Sequence, residues 1–175
     1  MKPDLNNLKN RIEEKRDFID RIALEIPFFK GYLVKSENYD ADLMIRSFIA
    51  DKLLSVKKHL GAVSSGALRK ENYELIREIE SLSVSIEGLV KKVRYAEYGA
   101  SGVFSKAKIT EDDQNRLLEY DWRLISSADE LAESVEKIAS PDCASIPEGL
   151  KSAGGMIADF ESAFNERKNV ILEVI

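Results

Sequence analysis

One cysteine and one histidine are the only thiol and imidazole groups in this chain of 175 residues. Cys143 alone permits no intrachain disulfide and fits a reducing compartment. His59 has Val56, not glutamate, three residues before it. The paired Glu-x-x-His pattern of carboxylate-bridged dimetal bundles is therefore not formed, and one Cys with one His leaves a zinc site two ligands short. The same scarcity counts against cysteine nucleophilic catalysis, because nothing in the sequence brings His59 to Cys143. His59 instead follows Lys57 and Lys58 near an expected helix end, where positive charge complements the helix dipole. No Gly-x-x-x-x-Gly-Lys-Ser/Thr loop is present, and no cofactor is expected.

Proline and glycine are also few, 4 and 9, against abundant Leu, Ile, Ala, Glu and Lys. That balance favours helix. No run of about 18 apolar residues exists to span a membrane, and residues 1–18 contain no apolar signal core. The expected location is the cytoplasm. A net charge of −5 counts against a general nucleic-acid binder. The charge is uneven, with 20 Lys/Arg against 16 Asp/Glu in residues 1–110, and 6 against 15 in residues 111–175. The two parts are expected to attract each other, or the acidic part offers a face to a partner.

What the chain does have is helical periodicity in five segments. The first runs from about Asp4 to Ile26 through Leu5, Leu8, Ile12, Ile19 and Ile22, and Pro27 ends it. The second starts near residues 39–42 and runs to about Leu60, with Ile45, Ile49, Leu53, Val56, Leu60 and Val63 on one stripe and Gly61–Gly66 read as the turn. The third, about Lys70 to Tyr98, carries Ile76, Ile79, Leu82, Ile86, Leu89, Val90 and Val93, with Gly99 as its stop. The fourth starts at Thr110-Glu-Asp-Asp and continues to about Ala139 through Leu118, Trp122, Ile125, Ala128, Val135 and Ile138. The fifth opens on the capping pattern Ser145-x-x-Glu148 and continues through Leu150, Ala153, Ile157, Phe160, Phe164, Ile171 and Val174. These segments predict an all-α fold, an antiparallel up-and-down bundle of four to five long helices in one domain over residues 1–175.

Two linkers stand out. Pro27 to Leu33 packs Phe28, Phe29 and Tyr32 into seven residues, too apolar for a solvated loop. The other, around 98–108, holds Tyr98, Gly99, Ser101, Gly102 and Phe104, with Tyr95 before it and Lys106 and Lys108 after it. Glycine beside aromatics is either a tight helix stop packed on the bundle or a binding loop. The basic run Lys91-Lys92-x-Arg94 flanks that loop, although a helix C-terminus attracts such charge without a ligand. Glu71-x-x-Glu74 and Glu130-x-x-Glu133 have the spacing that all-α nucleotide pyrophosphatases use for magnesium. With no complete second half-motif, they read as solvated helix faces.

The segment Ile26-Pro-Phe-Phe-Lys-Gly-Tyr32 with Asp40-Ala-Asp42, and the segment Tyr98-Gly-Ala-Ser-Gly-Val-Phe104 leading to Ile109-Thr-Glu-Asp and Leu118-Glu-Tyr-Asp121, resemble a poorly characterised prokaryotic family of helical-bundle proteins of unknown function. Relatives carry a Pro-Gly-Tyr-x-Gly-Tyr-like first motif, from which Phe28 and Phe29 depart. The resemblance implies a helical bundle and no established activity. It singles out the same two loops.

The sequence thus predicts a non-enzymatic protein-interaction or scaffold bundle. The candidate partner-binding residues are Phe29, Tyr32, Tyr95, Tyr98, Gly99, Ser101, Gly102, Phe104, Lys106 and Lys108. The alternative is a small-ligand or anion-binding bundle with a pocket near the 26–33 and 98–108 loops. A homodimer through the C-terminal helix is a further option, using Phe160, Phe164 and Ile171. No catalytic residue, metal ligand or nucleic-acid partner is expected.

Overall fold

A computed structural model describes residues 18–27, 29–30, 38–96, 111–140 and 145–173. The protein is all-α. Residues 18–25 are helical, and four long helices follow: α1 (Asn38–Arg69), α2 (Tyr73–Arg94), α3 (Glu111–Ala139) and α4 (Ile146–Glu173). The chain sorts into two compact units. One comprises Arg46–Ala96 and Leu124–Asn165, and the other Met1–Ile45, Glu97–Arg123 and Glu166–Ile175.

In the unit built on Arg46–Ala96, packing directions follow from residue pairs. Arg46 meets the carbonyls of Val93 and Arg94, while Lys57 meets Glu87, so α1 and α2 run antiparallel. Leu82 lies against Gly154 and Lys92 pairs with Glu161, so α2 and α4 run the same way. Ile138 abuts Gly149 where α3 turns into α4. Heptad-like stripes meet between them. Ile49, Leu53, Val56 and Leu60 from α1 and Ile79, Ile86 and Val93 from α2 are buried, as are Ile125, Leu131, Val135, Leu150 and Phe160 from α3 and α4. Each large apolar side chain withdrawn from water in this way contributes roughly 1.5–3 kcal/mol.

The expected turn at Gly61–Gly66 is not formed. α1 continues through it to Arg69, and the reversal comes at residues 70–72. Val63 and Ala67 explain the difference: both are buried, extending the α1 stripe in phase beyond Leu60. Their burial outweighs the helix penalty of glycine, about 1 kcal/mol per residue. Ser65 also donates its hydroxyl to the Gly61 carbonyl at 2.9 Å, an i−4 bond made within the helix. The real stop is local. Glu71 takes the left-handed conformation (φ 53°), and Asn72 caps α2 by accepting the Leu75 N–H at 3.1 Å.

A test follows. A methyl group at Gly61 would meet nothing within 4 Å. Gly61→Ala is therefore expected to stabilise the protein by about 0.5–1 kcal/mol in urea unfolding. A loss of stability would return the turn to residues 61–66.

The expected helix end at Tyr98 is not met either, because α2 stops at Arg94, but two other ends match their sequence signals. The 18–25 helix stops at Pro27, with the Phe29 N–H bonded to the Ile26 carbonyl. The Glu148 N–H donates to the Ser145 hydroxyl at the head of α4. In the unit containing these N-terminal residues, Ile22, Ile26, Phe29, Ile45 and Leu118 are buried. Arg21 lies 5.9 Å from the Trp122 ring centroid, a cation–π distance.

Candidate functional site

Of the candidate residues, the structure describes two. Phe29 is fully buried and serves the core, whereas Tyr95 is 71% exposed at the end of α2. Tyr32, Tyr98, Gly99, Ser101, Gly102, Phe104, Lys106 and Lys108 lie outside the described residues, as do Cys143 and the Gly99 stop. Phe160 and Phe164, considered for a dimer seam, are both 1% exposed and belong to the chain's own core.

Two acids singled out in the sequence, Asp42 and Asp121, meet on one arginine. Arg167 of α4 donates from Nε to Asp121 Oδ1 at 2.5 Å and from Nη2 to Asp42 Oδ1 at 2.6 Å. All three side chains are at least nine-tenths buried. Both carboxylates have further interactions, while Arg167 Nη1 meets no acceptor. Burial works against the guanidinium charge, but the attraction of Asp121, then of Asp42, more than offsets it. The arginine holds its proton even more tightly than usual. It is charged at every working pH. The guanidinium fork suits this role, because two carboxylates are bridged by separate N–H groups in fixed geometry.

A second buried arginine, Arg46, is 3% exposed. Its Nη1 donates to the Arg94 carbonyl at 2.9 Å and to the Val93 carbonyl at 3.3 Å. These are last-turn carbonyls of α2 that its own helix leaves unsatisfied.

Neither arginine was visible as a motif, but both had a signal. Asp42 and Arg46 stand on the stripe leading to Ile49 and Leu53, Asp121 on that of Leu118 and Ile125, and Arg167 on that of Phe160 and Phe164. Charged residues in phase with apolar seams mark buried charge.

The outward face of α2 is the other notable surface. Tyr73, Val84 and Tyr95 are 63%, 70% and 71% exposed. Their spacing of eleven residues, about three helical turns, sets all three along one side of the helix. A groove of about 460 Å³ runs between α2 and α4 along residues 82–92. Its floor is Leu82, Leu89 and Ile157, and small residues at Ser85, Gly88, Gly154 and Ala158 keep it open.

Several charges near this face are locally paired, while Arg77 and Glu80 stand exposed between Tyr73 and Val84. Lys92 bonds Glu161 at 2.9 Å, Arg94 bonds Asp51 at 2.5 Å, and Glu87 lies between Lys57 (2.9 Å) and Lys91 (3.1 Å). The basic run Lys91-Lys92-x-Arg94 is thus matched to carboxylates. The hydrogen bond from Lys57, followed by that from Lys91, holds the Glu87 carboxyl below the ordinary range. A depressed carboxyl pKa contributes stability above the unfolded value, which is lost as pH falls through the folded one. An NMR titration should place the Glu87 midpoint below that of free glutamate, and Lys57→Gln should raise it. An unchanged midpoint in that variant would reject the bridge. The group is solvent-exposed, so salt should shrink the difference.

The acidic pairs do not gather into a centre. Glu130 and Glu133 are exposed, with Glu133 3.9 Å from Lys137, and Glu71 and Glu74 are exposed as well. Among the described residues, no three His, Cys, Asp or Glu side chains group as metal ligands, and no helix is long and apolar enough to cross a membrane. His59 is half-buried, and its Nδ1 has no hydrogen-bond partner.

No protein-family model, curated protein or solved structure matches this chain.

Proposed function

We propose that this protein is a non-enzymatic interaction module that docks an amphipathic helix of a partner protein along α2. The observation that carries this reading is the aligned exposure of Tyr73, Val84 and Tyr95 on one helix face. Large apolar side chains at 63–71% exposure lose free energy to water unless a partner covers them. Tyrosine is also enriched among the residues that dominate interface energies.

The adjoining groove supports the choice of a helix as the occupant. Gly88 and Gly154 let a second backbone come close, and Leu82, Leu89 and Ile157 offer an apolar floor. A partner helix with apolar residues at i, i+3/i+4 and i+7 has the complementary pattern. The paired ions Lys92–Glu161 and Glu87–Lys91 then form a polar rim.

Two further parts of the reading rest on sequence. A single cysteine fits a reducing, cytoplasmic setting. The resemblance to an uncharacterised family of helical bundles rests on the quoted segments alone and implies no activity.

The test is capture from native extract with the full chain as bait, alongside a Val84→Glu bait. A discrete protein retained by the first and lost from the second is the expected result. Equal retention by both baits would reject the α2 face.

A further inference from the structure

The reversal between α1 and α2 and the start of α4 enclose a pocket of about 620 Å³ in the unit built on Arg46–Ala96. Its floor is aliphatic: Val63, Ala67, Leu75 and Ile138 are 4–7% exposed. Its rim carries two cations, Arg69 and Lys70, both exposed and without an ion pair among the described residues. That state differs from the basic run of α2, where every cation has a carboxylate.

The source of the local field can be assigned. α1 and α3 end around this pocket, and α2 and α4 begin there. Positive and negative helix ends alternate, so their dipoles largely cancel. Arg69 and Lys70 then set the sign. Arg69, in the last turn of α1, complements that helix end. Lys70 lies beyond the helix and has no such role. The neighbouring acids Glu71 and Glu148 do not line the pocket.

We propose that this pocket binds a small organic anion, a phosphate ester or carboxylate with an apolar body. The apolar part rests on Val63, Ala67, Leu75 and Ile138, and the anionic group faces Arg69 and Lys70. The volume lies within the roughly 300–1,000 Å³ range of small-molecule sites. Apolar burial supplies attraction, and the cations at the mouth fix orientation and exclude cationic ligands. This site is separate from the α2 face, so partner docking and anion binding stand or fall independently.

Phenyl phosphate is a suitable probe, with inorganic phosphate and phenol as its two halves. Binding is read by amide shifts in the full chain, at residues 63–75 and 138–149. Phenyl phosphate is expected to saturate at submillimolar concentration, with each half alone at least about tenfold weaker. Benzoate in the same titration separates a preference for phosphate from one for carboxylate, and saturation by either supports the site.

Two variants locate the binding. Arg69→Gln with Lys70→Gln should weaken it at least about tenfold. Gly66→Leu should abolish it by filling the pocket, since Gly66 lines it on a helix where leucine is well accommodated. Neither variant removes a core side chain, so both should stay folded, with Gly66→Leu gaining up to about 1 kcal/mol from helix propensity. The proposal is overturned if neither phenyl phosphate nor benzoate shows saturable binding below about 10 mM. It is also overturned if inorganic phosphate binds as well as phenyl phosphate, or if a folded variant of either kind binds like the parent.

Discussion

Arg167→Met is expected to destabilise the protein by about 3–5 kcal/mol in urea unfolding, the cost of stranding a buried charge. The methionine fills much of the arginine's volume, so the loss is electrostatic. Asp121 and Asp42, 2.5 and 2.6 Å from the guanidinium, would lose their shared cation at 4–5% exposure while keeping their other interactions. For a protein of this size, that corresponds to a thermal midpoint lower by very roughly 10 °C. Arg167→Lys should recover only part of the loss. One ammonium is a point donor and cannot reproduce the fork that reaches both acids.

The triple variant Arg167→Met, Asp42→Asn, Asp121→Asn separates strength from specificity. Replacing a whole buried ion cluster by uncharged groups is often neutral or stabilising by about 1–4 kcal/mol. The triple variant should therefore be far more stable than the single one. Hydrogen exchange in residues 118–123 and 164–170 would show where order is lost. If Arg167→Met alone cost less than about 1 kcal/mol, the side chains would not be paired and buried as described.

The cluster also shows which parts of the structure were legible in sequence. Helix count and face came through wherever apolar residues recur at three and four. Pro27, Ser145 and the acids from Glu111 to Asp113 marked ends by local chemistry, which sequence states directly. At Gly61–Gly66 the two signals conflict: glycine reports a local preference for a turn, while Val63 continues the stripe and, with Ala67, is buried. α2 stops at Arg94, short of the expected Tyr98, for a similar reason. Its last carbonyls are closed by Arg46, 47 and 48 residues away in sequence, a partner local pattern does not reveal. Arg167 and Asp42 are 125 residues apart, and the sequence reading singles out neither as a seam charge, because periodicity does not name the match. The candidate face was half visible. Tyr95 drew attention through its loop, but Tyr73 and Val84 carry no motif and matter only because α2 turns them outward.

Tyr95→Ala and Val84→Glu, measured against a captured partner in purified form, are expected to give the largest functional losses. Truncating an aromatic anchor at an interface typically costs about 2 kcal/mol or more, some thirtyfold in affinity at about 1.4 kcal/mol per tenfold. Val84 stands at the middle of the face, eleven residues from each tyrosine, beside the groove that includes Ser85 and Gly88. A carboxylate there must be desolvated without a counterion, so Val84→Glu should exceed the loss from Tyr95→Ala. Tyr73→Ala tests the far end of the same helix and should also weaken binding. All three side chains are 63% exposed or more, and such surface changes usually move stability by no more than about 0.5 kcal/mol. An affinity loss with an unchanged unfolding midpoint therefore reports docking and not folding. If Tyr95→Ala weakened binding while Val84→Glu and Tyr73→Ala left it intact, recognition would belong to the end of α2 and the residues after it, and the continuous α2 face would be rejected.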